Sequence, residues 1–544
     1  MEENKNNNSK SAIRLPIYIS AAIAFGIFIG ANMADGSSPG VNTVYKGITK
    51  FRQVLSFIQN DYVDEVDTDE LVETAITEML TKLDPHSVYI PAKDLEMTNS
   101  QLEGNFEGIG IEFNIFHDTL HVISPLSGGP SESLGIKSGD KIVTVDGESV
   151  AGIGLTNRMV ISMLRGPKGS KVVVMIQRKG SKELLEFIIE RDVIPQYSVD
   201  VFYMIDEVTG YIKVNRFSAT TYMEFKEGLT QLKLEGMENL ILDLTGNPGG
   251  YMGQAVDLVD ELIADNQMIV YTRGKDAKHD SEYLSNQKGD FETGPIIVLI
   301  DEGSASASEI VAGALQDHDR ALVVGRRSYG KGLVQMPVEL SDGSAMRLTI
   351  SRYYTPSGRC IQKPYSKDLD SYHLEYYERF ENGEVFSQDS IKVNDSLTFK
   401  TDKGRVVYGG GGIIPDFFVP LDTSKNSPYL VRLFNSNSIQ EFSIRYYENH
   451  KDELAKWVFP DFQKSFIVDD IMVNDLIETG KLNGVSFNKI SFQKSQILIK
   501  NYLKAYIARC LWKNNGFYPI LNQENEIVLK ALQLLPEANK LAKK

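Results

Sequence analysis

Two cysteines, seven histidines and two tryptophans in 544 residues leave little material for several kinds of protein. With only Cys360 and Cys510, a disulfide-built scaffold is excluded, and no Cys/His spacing suits a zinc fold. The two thiols are read as independent and reduced. Positive charge is also short: 57 Lys+Arg stand against 73 Asp+Glu, a formal net charge of −16. A body this acidic lacks the basic face that phosphates need, which excludes nucleic acid as a partner. Internal repeats and long low-complexity tracts are missing too. What is present is a 42% hydrophobic and 24% charged composition, enough for packed cores. The length suits roughly three or four domains of about 150 residues each.

Long hydrophobic runs are scarce, and the one that exists decides the compartment. Leu15 to Ala31 (LPIYISAAIAFGIFIGA) is uncharged and follows Lys5, Lys10 and Arg14. Positive residues ahead of an apolar run hold the N-terminus in the cytoplasm and send the rest across the membrane. A spanning helix needs roughly 17 to 25 residues, and this run meets the lower bound. The following GANMADG offers poor small-residue choices for cleavage. The segment is read as an uncleaved signal anchor in the inner membrane, with a cleaved signal peptide as the alternative. The body of the chain is expected on the extracytoplasmic, periplasmic side.

Beyond it, Val44, Ile48, Phe51, Leu55, Ile58 and Tyr62 recur at helical steps, and Asp67 with Glu70 forms a capping box for a second helix ending at Asp84-Pro85. From Gly104 to about Asp192 short strands and Gly-rich turns alternate around one helix near Thr156 to Leu164. From Gly210 the pattern becomes strand, helix, strand. Apolar strands at Leu240–Leu244 and Ile296–Ile300 are each followed by a small-residue turn and a helix. That texture predicts a sheet covered by helices, with chemistry at the carboxyl ends of its strands. After Pro420 the chain reads as helical, most clearly from Leu498 to Leu511.

Two stretches carry candidate chemistry. Gly303-Ser-Ala-Ser-Ala-Ser-Glu309 opens a helix behind a buried strand, where free N–H groups and the helix dipole favour an oxyanion. Ser304, Ser306 and Ser308 are all candidate nucleophiles there, and Ser306-x-x-Glu309 doubles as a capping box. Gly325-Arg-Arg-Ser-Tyr-Gly-Lys331-Gly332 nearly matches a phosphate loop, but Gly332 replaces the hydroxyl that binds magnesium and the next element reads as a strand. The two stretches make better sense together. Lys331 serves as a base for a serine if burial keeps its amine neutral, and Gln335 on the same strand face orients that amine without a competing charge. Arg326 and Arg327 are the nearby charges expected to depress it, and His318 is the fallback base.

The motifs Ser304-Ala-Ser-Ala-Ser-Glu-Ile310, Gly330-Lys-Gly-Leu-Val-Gln335, Asp243-Leu-Thr-Gly-Asn-Pro-Gly-Gly250 and Leu83-Asp-Pro-His-Ser-Val-Tyr89 resemble the carboxyl-terminal processing, or tail-specific, proteases. The likeness runs from about Val44 to Val419. It implies a multidomain chain, α+β and α/β in class: a crotonase-like α/β protease core with an inserted strand-rich PDZ domain, a helical N-terminal module and a helical C-terminal extension. The corresponding spans are 1–35, 36–103, 104–192, 193–420 and 421–544, in the order leader and anchor, N-terminal module, PDZ domain, core and extension. The resemblance also implies Ser306 as nucleophile, Lys331 as base, Gln335 as its orienter, and the N–H groups of Ala307 and Gly249 as the oxyanion hole. Gly108, Ile109, Gly110 and Ile111 take the place of the PDZ carboxylate loop, which captures a peptide tail by β-augmentation. Arg165 resembles the family's arginine that couples the PDZ domain to catalysis. No cofactor or metal is implied.

Thr245 departs from the family pattern, which often has arginine after Asp-Leu, and the region after about Pro420 goes beyond it. The expected activity is a serine endopeptidase cutting exported polypeptides near exposed C-terminal tails, with a homo-oligomer or an adaptor left open. The competing reading is a non-catalytic PDZ scaffold tethered to the membrane.

Overall fold

The computed structural model describes residues 39–365 and 369–543, together with Ser20, Ile23 and Gly26. The apolar run 15–31 lies almost wholly outside the described residues. Among those described, no helix is long and apolar enough to cross a membrane. The chain forms two compact units, Met1–Met79 and Leu80–Lys544.

The first unit carries helix α1 (Pro39–Asp61) and most of α2 (Thr68–Thr81). Asp67 starts α2 as the sequence predicts, its carboxylate accepting the N–H groups of Asp69 and Glu70. The apolar stripe of α1 forms at the predicted spacing, yet Val44 and Ile48 on it are exposed.

The second unit opens with β1 (Val88–Ile90) and α3 (Ala92–Glu103). The strand-rich domain is then entered through β2 (Asn105–Gly108) and built from β3 (Ile111–Phe116), β4 (Thr119–Pro125), β5 (Lys141–Val145), helix α4 (Asn157–Leu164), β6 (Lys171–Gln177) and β7 (Leu185–Glu190). It is left through β8 (Asp192–Pro195), which pairs antiparallel with β2 and closes the insertion at its neck. The order β3-β4-β5-β6-β7 leaves β3 as an edge strand. Ile109 and Ile111 share one core with Val160 and Leu164 of α4, and Gly110 between them has a φ of +72°.

The core follows with β9 (Val199–Met204), β10 (Thr209–Val214), α5 (Thr221–Leu234), β11 (Asn239–Asp243), α6 (Met252–Asp260), β12 (Met268–Gly274), β13 (Ser281–Leu284), β14 (Ile296–Ile300), α7 (Ala307–Asp317), β15 (Ala321–Gly325), β16 (Leu333–Glu339), β17 (Ala345–Tyr354), α8 (Leu369–Glu381) and β18 (Phe417–Phe418). Its central sheet runs β9-β10-β11-β14-β15-β18, parallel except for the antiparallel β9–β10 pair. A second, antiparallel sheet joins β1, β17, β12 and β13, with β16 pairing β17. Thus β1, close behind the N-terminal helices in sequence, is a strand of this second core sheet. Strands β11 and β14 are buried on both faces, which explains their unbroken apolar texture.

The C-terminal part contributes α9 (Pro428–Asn435), α10 (Ser438–Asn449), α11 (Asp470–Leu482), α12 (Lys489–Trp512), α13 (Asn514–Leu521) and α14 (Glu526–Ala542). It has a core of its own around Leu433, Phe442, Leu476, Ile499 and Leu503. Helix α14, however, lays Val528, Ala531 and Leu534 against Ile241, Ile297 and Leu299 of the central sheet. The last helix therefore supplies the second covering layer that the core strands require. The same region grips the outer face of β3: Arg509 pairs with Glu112 at 3.0 Å, Gln440 accepts from Asn114 at 2.9 Å, and Glu441 meets His117 at 3.3 Å. Cys360 and Cys510 are both free thiols, as expected.

Candidate active site

Ser306 sits at the junction between β14 and α7 with φ 55° and ψ −113°, a conformation that L-residues rarely adopt. The neighbouring serines are already engaged. Ser304 Oγ donates to Leu244 O at 2.8 Å and accepts from Asp301 N, while Ser308 Oγ donates to Asn247 O at 2.9 Å; both residues are buried. Ser306 and Glu309 form the expected capping box, and Ser306 is only half-buried. Of the three hydroxyls, it alone donates to no carbonyl among the described residues.

The base loop follows β15. Lys331 Nζ donates to Gln335 Oε1 at 3.0 Å, and Gln335 Nε2 in turn donates to the carbonyl of His86. Burial chiefly, and then the Arg347 guanidinium, hold the Lys331 amine below the ordinary lysine range, while Glu309 and Asp84 pull the other way. Arg326 and Arg327 do not have the role predicted for them: Arg326 pairs with Glu302 at 2.6 Å and Arg327 with Glu384 at 2.5 Å. His318 is removed as a base. It caps the far end of α7, about 18 Å from Ser306 by helix rise, and binds Asp402 and the carbonyl of Met268.

Two groups that sequence reasoning did not assign a joint role hold these loops together. Glu309 is fully buried; its Oε2 accepts from Ser306 N and Lys331 N, and its Oε1 from Ser328 Oγ and Gly330 N. Tyr353 Oη lies 3.0 Å from Ser306 O and also against Lys331 O, so its single proton serves one carbonyl at a time. A glutamate inside an otherwise small and apolar helix start was the available signal. The N–H groups that a phosphate loop would offer are spent on this carboxylate, and β16 rather than a helix follows, as expected. Asp84 anchors the adjoining Asp-Pro-His-Ser turn by accepting from His86 N, Ser87 N, Ser87 Oγ and Thr349 Oγ1.

Gly249 lies against the nucleophile loop: a Cβ there would stand 2.7 Å from both Ala305 O and Ser306 Cβ. Its N–H is given to Asn247 Oδ1 at 2.8 Å, whereas the Ala307 N–H has no partner among the described residues. The turn carrying Gly249 is pinned to the serine loop, since Ala305 N donates to Asn247 O and Gly246 N to Asp301 Oδ1.

In the strand-rich domain, the carbonyls of Ile109 and Gly110 bond internally to Ser131 and Leu126. Gly108 bridges to Arg165, whose guanidinium lies 4.4 Å over the Phe106 ring and donates to Ser100 Oγ of α3. Arg165 thus links the domain to α3, without reaching Ser306 or Lys331.

A strained serine at the head of a buried helix, a lysine held below its ordinary pKa by burial and a strand-rich domain with an open edge are the marks of a serine-type peptidase carrying a PDZ domain. Profiles of known families agree: Peptidase family S41 matches residues 208–370, a PDZ domain 108–189, the N-terminal domain of the activating protease CtpB 30–94, and a family of unknown function (DUF8443) 429–513. The carboxy-terminal-processing protease of Bartonella bacilliformis is 35% identical over 346 residues, 62% of this chain and 78% of that one. Carboxy-terminal processing protease CtpB of Bacillus subtilis is 35% identical over 355 residues, 62% of this chain and 72% of the relative. A solved photosystem II D1 C-terminal processing protease is 29% identical, covering 57% of this chain and 83% of that structure with a TM-score of 0.34. The chain belongs to the carboxy-terminal processing proteases of peptidase family S41.

Proposed function

We propose that this chain is a Ser/Lys endopeptidase that trims exported polypeptides near their C-termini, with Ser306 as nucleophile and Lys331 as general base. The observation that carries this reading is the Lys331 amine, depressed by burial and hydrogen-bonded to neutral Gln335 rather than to a carboxylate. In the proposed cycle neutral Lys331 takes the Ser306 hydroxyl proton as Oγ attacks the scissile carbonyl. The resulting ammonium returns that proton to the leaving amine, and neutral Lys331 then activates the water that releases the acyl group. The bond to Gln335 uses one N–H of the neutral amine and leaves its lone pair to accept the Ser306 proton. The N–H groups of Ala307 and Gly249 stabilise the oxyanion, Gly249 once it has released Asn247 Oδ1.

The PDZ carboxylate loop Gly108–Ile111 holds the tail's terminal carboxylate and the free edge of β3 pairs with the tail, with Arg165 passing the occupied state to α3. We also propose residues 15–31 as the anchor that keeps the enzyme on the outer side of the inner membrane, and the spans 36–103, 104–192, 193–420 and 421–544 as its working parts. The test is cleavage of a peptide with an apolar tail by the wild type and by Ser306→Ala, with tail binding followed separately. The variant should bind and not cut. An uncut peptide with the wild type would favour the scaffold reading.

A further inference from the structure

We infer that Lys213 is a positioning residue for the oxyanion turn 244–250. The inference rests on the reading of Ser306 and Gly249 given above. Lys213 of β10 stands in register with Asp243 at the end of the parallel strand β11. Its side chain is 13% exposed, and its Nζ lies 3.3 Å from Asp243 Oδ2, 3.0 Å from Thr245 O and 3.2 Å from Thr245 Oγ1. One cation therefore ties the last residue of the strand to the first residues of the turn.

The same carboxylate accepts Thr245 N at 2.8 Å and Thr245 Oγ1 at 2.6 Å on one oxygen, and Tyr211 Oη at 2.5 Å on the other. Asp243 is 1% exposed, so removing the lysine leaves a buried carboxylate facing neutral donors only and strips Thr245 O of its donor. From Thr245 the chain runs directly into the part that touches the nucleophile. Leu244 O accepts from Ser304 Oγ, Asn247 O from Ala305 N, and Gly249 packs on Ser306 Cβ. A shift at Thr245 is passed to Gly249 through only three residues, two of them, Gly246 and Asn247, bonded to the serine loop or to a neighbouring strand. Thr245 offers no charge at this position, and Lys213, reaching across from the adjacent strand, supplies it.

Lys213 touches neither Ser306 nor Lys331 by any hydrogen bond among the described residues. Its effect is therefore expected on the chemical step and on the order of the turn, with little effect on capture of the tail. Misplacing an oxyanion donor by around an ångström costs up to about 100-fold in rate.

The experiment compares full-length wild type, Lys213→Met, Lys213→Arg, Thr245→Val and Ser306→Ala. It measures kcat and KM on a peptide with an apolar tail, and hydrogen–deuterium exchange over 244–250 and over α7. Lys213→Met should lower kcat by roughly tenfold or more with KM within about twofold, and raise exchange over 244–250 but not over α7. Lys213→Arg, which keeps the charge and donors, should stay within about threefold of wild type. Thr245→Val keeps the shape of the turn and should show a smaller change in the same direction, which preserves the test if Lys213→Met does not fold. Wild-type kcat and exchange in Lys213→Met, or no change in Thr245→Val should Lys213→Met not fold, would overturn the inference. Cleavage by Ser306→Ala would instead remove the nucleophile assignment, and the exchange result would still decide whether Lys213 orders the turn.

Discussion

The backbone nitrogens of Ser306 and Lys331 share one acceptor atom, Glu309 Oε2, at 2.8 and 2.9 Å. That carboxylate, together with Tyr353 Oη against Ser306 O and Lys331 O, ties the serine and lysine loops to each other.

Glu309→Gln replaces one of the accepting oxygens by an amide donor facing N–H groups. Stability should fall by about 1–3 kcal/mol, and kcat should drop at least tenfold, with tail binding retained. Urea unfolding and steady-state kinetics measure the two effects. Unchanged kcat would show that the shared acceptor does not set the geometry of catalysis.

The pH profile follows from the direction of the Lys331 shift. Only the neutral amine is a base, so the rate should rise with pH through an apparent pKa below the ordinary 10.5. Arg347 disfavours the ammonium; Arg347→Met should therefore raise that pKa and move the rising limb to more alkaline pH. Lys331→Arg should be inactive across the range, because guanidinium keeps its proton. An active arginine variant would reopen the search for the base.

The three serines should separate by phenotype. Ser306→Ala should abolish cleavage at the cost of no more than a helix cap, about 1 kcal/mol, since its hydroxyl donates to no buried carbonyl. Ser304→Ala and Ser308→Ala should each lose about 0.5–1.5 kcal/mol, because each removes one of two donors to a buried carbonyl, and the first also strips Asp301 N of its acceptor. Thermal denaturation beside activity distinguishes the cases; a stable, dead Ser304→Ala would mean that the nucleophile was misassigned.

Acid should weaken the fold between two known bounds. Burial holds both His86 and His121 down at about 4, against 6.5 unperturbed. As pH falls below 6.5 the unfolded chain takes up these protons first, so their stability contribution is full above 6.5 and is lost progressively down to about 4. Urea midpoints at pH 7.5, 5.5 and 4.5 should decline in that order, and His86→Phe/His121→Phe should flatten the slope. An identical slope in the double variant would rule these two histidines out as the source.

Arg165→Glu should slow cleavage of tailed substrates through loss of the contacts with Phe106 and Ser100, leaving a tailless peptide unaffected. It is a cleaner probe of the domain than Gly110, where any side chain meets Ile194 Cδ1 at 2.9 Å and a φ of +72°. Equal losses on both peptides would assign Arg165 a structural role alone.

Much of this was legible in the residues. Strands Lys141–Val145 and Ile296–Ile300 fall where their apolar patterns put them, and Thr156 caps the helix expected there. The Lys331–Gln335 pair was readable from strand alternation, because the spacing alone places both on one face. Contacts between distant segments were not. Nothing local to Lys213 says that it meets Thr245, nor does Arg347 reveal that it faces Lys331. The covering of Ile241 and Leu299 by α14 was hidden for the same reason: an amphipathic helix shows which face it buries, not against what.

The grip of the C-terminal helices on β3 has a mechanical consequence. Glu112 and Asn114 within the strand and His117 in the turn after it pin it to the extension, so a load on its free edge meets a beam that is already braced. Bending is resisted, and the strain passes into α10 and α12 rather than dying out in a loop. Compliance is left to the neck, the short β2–β8 ribbon through which the domain hangs from the core. Swinging the domain about that neck must shear all three braces, so the extension sets the stiffness of the domain against any such swing.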